Sequence, residues 1–337
     1  MKKAEWFEKR EDGFICTLCP RGCTFRNEGK SRGLCRVRGV EDGEPFLPGY
    51  GECVSLSIDP IEKKPLYHFL PGSNILSTGP AGCNLRCDFC QNWSISQDGG
   101  APTRFVPPEE LADLALSRGS CGVAFTYTEP VIWYEYIADV APLVRKKGGS
   151  VVMVSNGEIN AEPLKKMTTF TDAWNVDLKS WSDGFYEKHC GGDRQTVLNT
   201  LRVLGGSHCH LEITFLIIPG ENDDPEEWRE MAEWIADSCG RETVLHISRY
   251  FPRYKLKAPP TPVKTLLEAR TVFSEVLHHV FVGNASTDFS NTMCPSCGEV
   301  CIRRNGYSVD ADGLKGGRCS SCGADLGVVN ELQDSST

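Results

Sequence analysis

From residue 75 to residue 283 the chain alternates strand-like and helix-like runs, and that alternation constrains the fold more than any other feature. Segments 75–79, 122–127, 150–155, 173–178, 210–219, 244–250 and 279–283 are short and apolar, as strands are. Segments 107–118, 131–147, 195–204, 225–238 and 262–277 carry helical periodicity, and Glu109 and Glu110 place negative charge in the first turn of their helix. Strand followed by helix, repeated, implies parallel strands joined by helical crossovers. Six or seven such units predict an α/β protein built on a partial (β/α)6-type TIM barrel rather than an open sheet. Folds of that kind place their chemistry at the C-terminal ends of the strands.

The first of these strands runs into Gly82-Cys83-Asn84-Leu85-Arg86-Cys87-Asp88-Phe89-Cys90-Gln91-Asn92-Trp93. Cys83, Cys87 and Cys90 are spaced C-x3-C-x2-C, and no fourth cysteine follows nearby. A [4Fe–4S] cube normally takes four thiolates. Three leave one iron free, and an open metal position is the mark of a catalytic rather than a structural site.

Two other groups have four cysteines each. Cys16, Cys19, Cys23 and Cys35 form a front set whose spacing suits either Zn or a second iron–sulfur cluster. Cys294-Pro295-Ser296-Cys297-Gly298 is mirrored by Cys319-Ser320-Ser321-Cys322-Gly323. Such knuckles predict a zinc-ribbon or rubredoxin-like module holding Zn or Fe, with Cys301 outside the ligand set. These groups divide the chain into a front four-cysteine metal-binding segment (1–70), a barrel (71–286), the ribbon-like module (287–330) and a disordered tail (331–337).

Seventeen cysteines in 337 residues, mostly clustered and with no signal peptide ahead of them, point to bound metal in a reducing cytoplasm rather than to disulfides. The scattered Cys53, Cys121, Cys190, Cys209 and Cys239 read as small buried hydrophobes. No apolar run is long enough to cross a membrane. A net charge of −9 argues against a nucleic-acid partner, although Arg249, Arg253, Lys255, Arg303 and Arg304 are locally basic.

The run from Gly79 to Asn92 resembles the radical S-adenosylmethionine (SAM) enzymes, and within them the activating enzymes of pyruvate formate-lyase. The resemblance covers about 70–285. It implies that Cys83, Cys87 and Cys90 hold a [4Fe–4S] cluster, with SAM on the fourth iron and Phe89 and Asn92 shaping the adenine side. The family has Gly-Gly-Glu-Pro where this chain has Tyr127-Thr128-Glu129-Pro130, so Glu129 would meet the methionyl amine; a helix-terminal charge is the other reading of it. Val154-Ser155-Asn156-Gly157 stands where the activating enzymes carry Asp-Thr-Asn-Gly, which places Ser155 and Asn156 at the cofactor and removes an aspartate that would assist a monovalent cation. Asp177-Leu178-Lys179 matches their Asp-Leu-Lys, whose lysine faces the methionyl carboxylate. His246 falls at a cofactor-contacting position, against the alternative of a structural histidine.

A closer similarity is to the AmmeMemoRadiSam system radical SAM enzymes. It rests on Cys16 to Pro20, on Glu62-Lys63-Lys64-Pro65-Leu66-Tyr67-His68-Phe69, on Thr126 to Pro130 and on Asn291 to Pro295. It implies Memo-like and AMMECR-like proteins as partners, with reduced flavodoxin or ferredoxin as electron donor under anaerobic conditions. The resemblance leaves the substrate unidentified: a protein partner is the first reading, with a small molecule or RNA as alternatives. A non-catalytic zinc protein is the rival from another class.

Overall fold

The computed structural model describes residues 2–285 and 289–332. Its main sheet has nine strands: β1 (Glu52–Pro60), β2 (Asn74–Pro80), β3 (Arg104–Phe105), β4 (Ser120–Phe125), β5 (Ser150–Ser155), β6 (Ala173–Asp177), β7 (His210–Ile217), β8 (Val244–Arg249) and β9 (Val280–Gly283). They lie in the order β9-β8-β7-β6-β5-β4-β2-β1-β3. Across the sheet from β9 to β2 every pairing is parallel, while β1 is antiparallel to both β2 and β3. The parallel set is the set of seven strands that the alternation predicts.

Six helices serve the crossovers: α1 (Pro108–Ala115), α2 (Tyr134–Lys146), α3 (Ala161–Thr168), α4 (Arg194–Gly205), α5 (Pro225–Cys239) and α6 (Val263–Ser274). Val123, Ala124 and Phe125 of β4, and Val151, Val152 and Met153 of β5, are all fully buried. Consecutive residues point to opposite faces, so both faces of the sheet are covered. Helix α5 shows how the ends are set. Asp224 accepts a bond from Glu226 N, Pro225 opens the first turn, and Gly240 at φ +100° ends the helix. Helix α3 is absent from the sequence reading because its short apolar face is only Pro163, Leu164 and Met167.

The boundary at residue 70 does not follow the fold, because β1 belongs to the main sheet. The front unit consists of two three-stranded antiparallel sheets, Phe7–Arg10, Gly13–Cys16 and Thr24–Arg26, then Lys30–Arg32, Gly39–Glu41 and Glu44–Phe46. A buried ion pair fastens it to α2: Arg38 donates to both oxygens of Glu135 at 2.6 and 2.9 Å, and Glu5 N donates to the same carboxylate at 2.6 Å.

The C-terminal module caps the N-terminal ends of the strands. Arg304 donates to Tyr67 O (2.6 Å), His68 lies 3.2 Å from Thr292 Oγ1, and Leu70 N bonds Val329 O (2.7 Å). Beneath it, Glu212 accepts from Tyr67 N, His68 N and His210 and lies 2.5 Å from His246 Nε2. Of the tail at 331–337, residues 333–337 lie outside the described residues, as does the inter-module stretch 286–288.

This cluster sets a pH dependence. Burial, with His279 and Arg304 alongside, holds His68 well below the usual histidine range, and burial also lowers His279. Burial alone would raise Glu212, but His210 and His246 hold it well below the carboxylate range. Depressed histidines cost stability as soon as the unfolded chain can protonate, near pH ~6.5, and a depressed carboxylate adds to the loss below ~4.3. Urea unfolding midpoints are therefore expected to fall steadily from pH 7 to pH 5. In Glu212→Gln the midpoint should be lower at every pH in that range.

Candidate active site

The loop after β2 carries the three cysteines, and the chain pins it from behind. Arg86 N donates to Cys190 O (2.8 Å) and Asp88 N to His189 O (3.0 Å), while Lys255 N and Leu256 N reach Asp88 O at 2.8 and 2.9 Å. The Cys83, Cys87 and Cys90 side chains then face one cavity of about 540 Å³, within the range of small-molecule sites. Its walls come from the C-terminal ends of the parallel strands: Thr126 to Thr128 after β4, Ser155 and Asn156 at β5, Asp177 and Lys179 at β6, Thr214 and Leu216 of β7, and Ser248 of β8. Phe89 and Asn92 line it too.

Burial, with the Glu129 carboxylate nearby, pushes the Cys83 thiol well up; contact with Cys190, then burial, does the same for Cys87, and burial raises Cys90. The site is thus a set of neutral thiols that must lose protons to bind metal. Lys179 lies 2.8 Å from Asp177. Burial opposes its charge, but the Asp177 carboxylate beside it holds its pKa well above the usual lysine value. It is a cation facing the cavity at neutral pH.

A family model for the radical SAM superfamily matches residues 79–235. A Methanocaldococcus jannaschii protein, MJ0808, is 40% identical over 338 residues, covering 98% of this chain and all of its own length. The chain belongs to the radical SAM superfamily. It is therefore an enzyme of a class that uses a [4Fe–4S] cluster and SAM. The pyruvate formate-lyase 1-activating enzyme of Escherichia coli K12 is 22% identical over 171 residues, 48% of this chain and 69% of that enzyme. A solved domain of the pyruvate-formate lyase-activating enzyme from Bacteroides vulgatus aligns with 48% of this chain and 99% of its own at a TM-score of 0.43 and 18% identity.

The residues of the cavity fit the superfamily's cofactors. Three cysteines of correct spacing, a cation–carboxylate pair and backbone polar groups converge there. Among the described residues, no three of the sulfurs of Cys83, Cys87 and Cys90 with any neighbouring ligand close to within 4.8 Å of one another, as they would around a single ion.

Two residues expected at the cofactor are not part of the cavity wall. Glu129 does not line the cavity. It is fully buried and accepts from Val131 N (3.0 Å), Ser155 Oγ (2.8 Å) and Asn156 N (2.7 Å). It caps the turn after Pro130 and ties the end of β4 to that of β5, so the helix-terminal reading is the one observed. Burial pushes its pKa up to about 7. His246 does not line the cavity either, although its register partner Thr214 does. Its ring meets Tyr67 (centroids 4.7 Å) and Glu212 beneath the sheet, because its position on β8 falls below the strand end. Asn156 is held at the site by Asn84 Oδ1 (2.9 Å) and lies 3.6 Å from Cys83 Sγ.

Other residues at the site carried no role in the sequence reading. Asp59, Lys63 and Lys64 line the cavity; Asp59 pairs with Lys64 at 2.9 Å and Lys63 at 3.1 Å. Burial would raise Asp59, yet Lys64, Tyr127 and Lys63 bring it down to about 2. Their signal was the Lys63-Lys64 run itself. Cys190 is buried, as expected, but beside Cys87; nothing in its spacing announced that.

Tyr127 occupies the first glycine position of the resembled motif, and its φ is +70°. Thr128 N bonds Thr126 O at 2.9 Å across it, which makes a strained γ-turn. Asn92 Nδ2 holds the Tyr127 carbonyl (2.7 Å), and Tyr127 OH donates to Asp59 (2.9 Å). The glycine is lost while the backbone it would favour is kept. Tyr127→Gly and Tyr127→Ala delete the same contacts and differ in backbone freedom. The glycine variant is expected to be the more stable by about 1 kcal/mol in urea unfolding; equal stabilities would contradict the left-handed conformation.

Among the described residues, the set of Cys294, Cys297, Cys319 and Cys322 is the only group whose ligand atoms all lie within 4.8 Å. Sγ separations of 3.6 and 3.7 Å match the ~3.8 Å edge of a tetrahedron with metal–sulfur bonds of about 2.3 Å. A metal fits there, and Cys301 is outside the set, as expected. No helix of the described residues is long and apolar enough to cross a membrane.

Proposed function

We propose that this chain generates a 5′-deoxyadenosyl radical from SAM and uses it to abstract hydrogen from a protein partner, in the manner of an activating enzyme. The observation that carries the reading is the convergence of Cys83, Cys87 and Cys90 with the Asp177–Lys179 pair in one cavity at the strand ends. When bound on those thiolates, a reduced [4Fe–4S] cluster supplies the electron that splits SAM into methionine and that radical. The chain's own residues bind and orient. Lys179 offers a fixed positive charge to the methionyl carboxylate. Asn156 and the Thr126–Thr128 backbone offer polar groups to the amine, in the place expected of Glu129. Phe89 and Asn92 shape the adenine side, and the enclosing strands limit water. The sheet is read as a partial barrel of the TIM type, and the C-terminal module as a zinc ribbon.

The surface that begins at Trp93, next to the cavity residue Asn92, favours a macromolecular substrate. Exposed Trp93 stacks on Tyr254 (5.2 Å, 11°), exposed Phe251 lies under Arg249 (4.8 Å), and Arg253 and Lys255 are in the same loop. Exposed aromatics beside arginines are typical of recognition surfaces. The net charge of −9 favours a protein over RNA. Memo-like and AMMECR-like proteins are the partners proposed, in a reducing cytoplasm, with flavodoxin or ferredoxin as donor.

The test is an anaerobic incubation of reduced protein and SAM with each candidate partner, followed by spin-resonance and mass measurement of that partner. A partner-dependent rise in 5′-deoxyadenosine with a radical or mass change on the partner supports the reading. A rise driven by tRNA instead, or by no macromolecule, overturns the protein-substrate part.

A further inference from the structure

By spacing alone the front cysteines suit zinc or a second cluster. Cys16 N bonds Cys23 O at 2.9 Å, closing the turn that carries Cys19, and a second turn, where Arg36 N bonds Gly33 O at 2.9 Å, delivers Cys35. All four cysteines line one small cavity of about 10 Å³, walled by Leu18, Phe25 and Ile132.

The size of that space separates the two occupants. It has room for roughly one water-sized sphere. A [4Fe–4S] cube would put eight atoms between the thiolates, whereas a tetrahedral ion puts one there.

The front sulfurs are also presented as acceptors. Cys19 Sγ accepts from Arg21 N, and Cys35 Sγ from Val37 N and Arg38 N. The C-terminal set repeats this pattern of donors two and three residues on: Cys297 accepts from Glu299 N, and Cys319 from Ser321 N and Cys322 N. Cysteines outside the metal groups do the reverse and donate S–H to carbonyl oxygens, Cys53 to Gly51, Cys209 to Thr171, Cys239 to Leu201 and Cys301 to Glu299. A metal-bound thiolate has no proton to give and takes N–H bonds from the backbone around it.

A third observation comes from Arg38. Its side chain is 2% exposed and lines the same cavity, and its Nε has no partner although both terminal nitrogens are engaged. Four thiolates on one divalent ion carry net negative charge, which a buried guanidinium with a free donor complements. Left without an acceptor, that donor would cost stability.

We propose that Cys16, Cys19, Cys23 and Cys35 hold one zinc ion, a closed structural site that braces the loop carrying Cys83. The front sulfurs are not gathered within 4.8 Å of one another as the C-terminal ones are, so binding turns the four side chains inward about χ1. The brace is direct. Arg21 Nε donates to Asn84 O (2.8 Å), and Asn84 lines the front cavity while its Oδ1 holds Asn156 (2.9 Å). Gly82, at φ +141°, has no room for a Cβ because the Cys35 carbonyl oxygen occupies that space.

The test is a count of zinc, iron and acid-labile sulfide after anaerobic reconstitution. Wild type is expected to hold about two zincs and four irons with matching sulfide, and Cys19→Ser/Cys35→Ser about one zinc with iron and sulfide unchanged. Limited proteolysis should cut the variant within residues 1–50 faster than wild type. A variant that keeps both zincs, or that loses about four irons with their sulfide, overturns the proposal. If that variant does not fold, Cys294→Ser/Cys297→Ser decides: one zinc retained supports the front site, and none overturns it. This zinc site is independent of the proposed function: the expected zinc count without SAM cleavage would sink that function and leave the site standing.

Discussion

Lys179→Met is expected to weaken SAM binding about 10–100-fold, the loss of a charge-assisted hydrogen bond worth ~1.5–3 kcal/mol. The lysine is largely buried, 13% exposed at its side chain, and paired with an Asp177 that is 38% exposed. Removing the cation therefore leaves a carboxylate that water can still reach, and folding should survive. Equilibrium dialysis with SAM reads the effect; the thermal midpoint and the iron content serve as controls. Because Lys179 stays charged well past pH 9, wild-type affinity should not fall between pH 7 and pH 9 through loss of this group. An unchanged dissociation constant in Lys179→Met would remove Lys179 from the cofactor site.

Glu135→Ala should destabilise the fold by about 3–5 kcal/mol, because it strands the buried Arg38 guanidinium. The pair is 2% and 1% exposed at its side chains, so solvent screening does little to soften the loss. Glu5 N also loses its acceptor. The front hairpins are held to α2 by this carboxylate, so limited proteolysis should cut near residues 1–50 before the main sheet opens. A loss under about 1 kcal/mol in urea unfolding would mean that the front unit is held by its apolar contacts alone.

Much of this arrangement was legible in the chain. Both faces of β4 and β5 are buried, so their runs are continuously apolar and easily seen. The three cysteines and Asp177, Lys179, Phe89, Asn92, Ser155 and Asn156 reach the cavity because each sits at a strand end or in the loop beyond one, and a strand end can be located from its apolar run. Glu129 and His246 show where such reasoning stops. Each has the right residue type near the right strand, but one is claimed by three local donors and the other lies too early on β8. Tyr127 hid its role because the left-handed backbone that motif glycines mark is here held by hydrogen bonds through Asn92 and Asp59. Asp59 and Lys64 come from β1 and the turn after it, which the alternating pattern does not include. Cys190 reaches Cys87 through the one turn of π-helix at Tyr186–Cys190, a feature without a sequence period.

Radical chemistry at Cys83, Cys87 and Cys90 is tested most directly by anaerobic turnover of SAM with the reconstituted, dithionite-reduced protein. Wild type should form 5′-deoxyadenosine and methionine in equal amounts, and Cys87→Ala should form neither. A Cys87→Ala protein that cleaves SAM at the wild-type rate, or a wild type with its full iron complement that cleaves none, would contradict that chemistry.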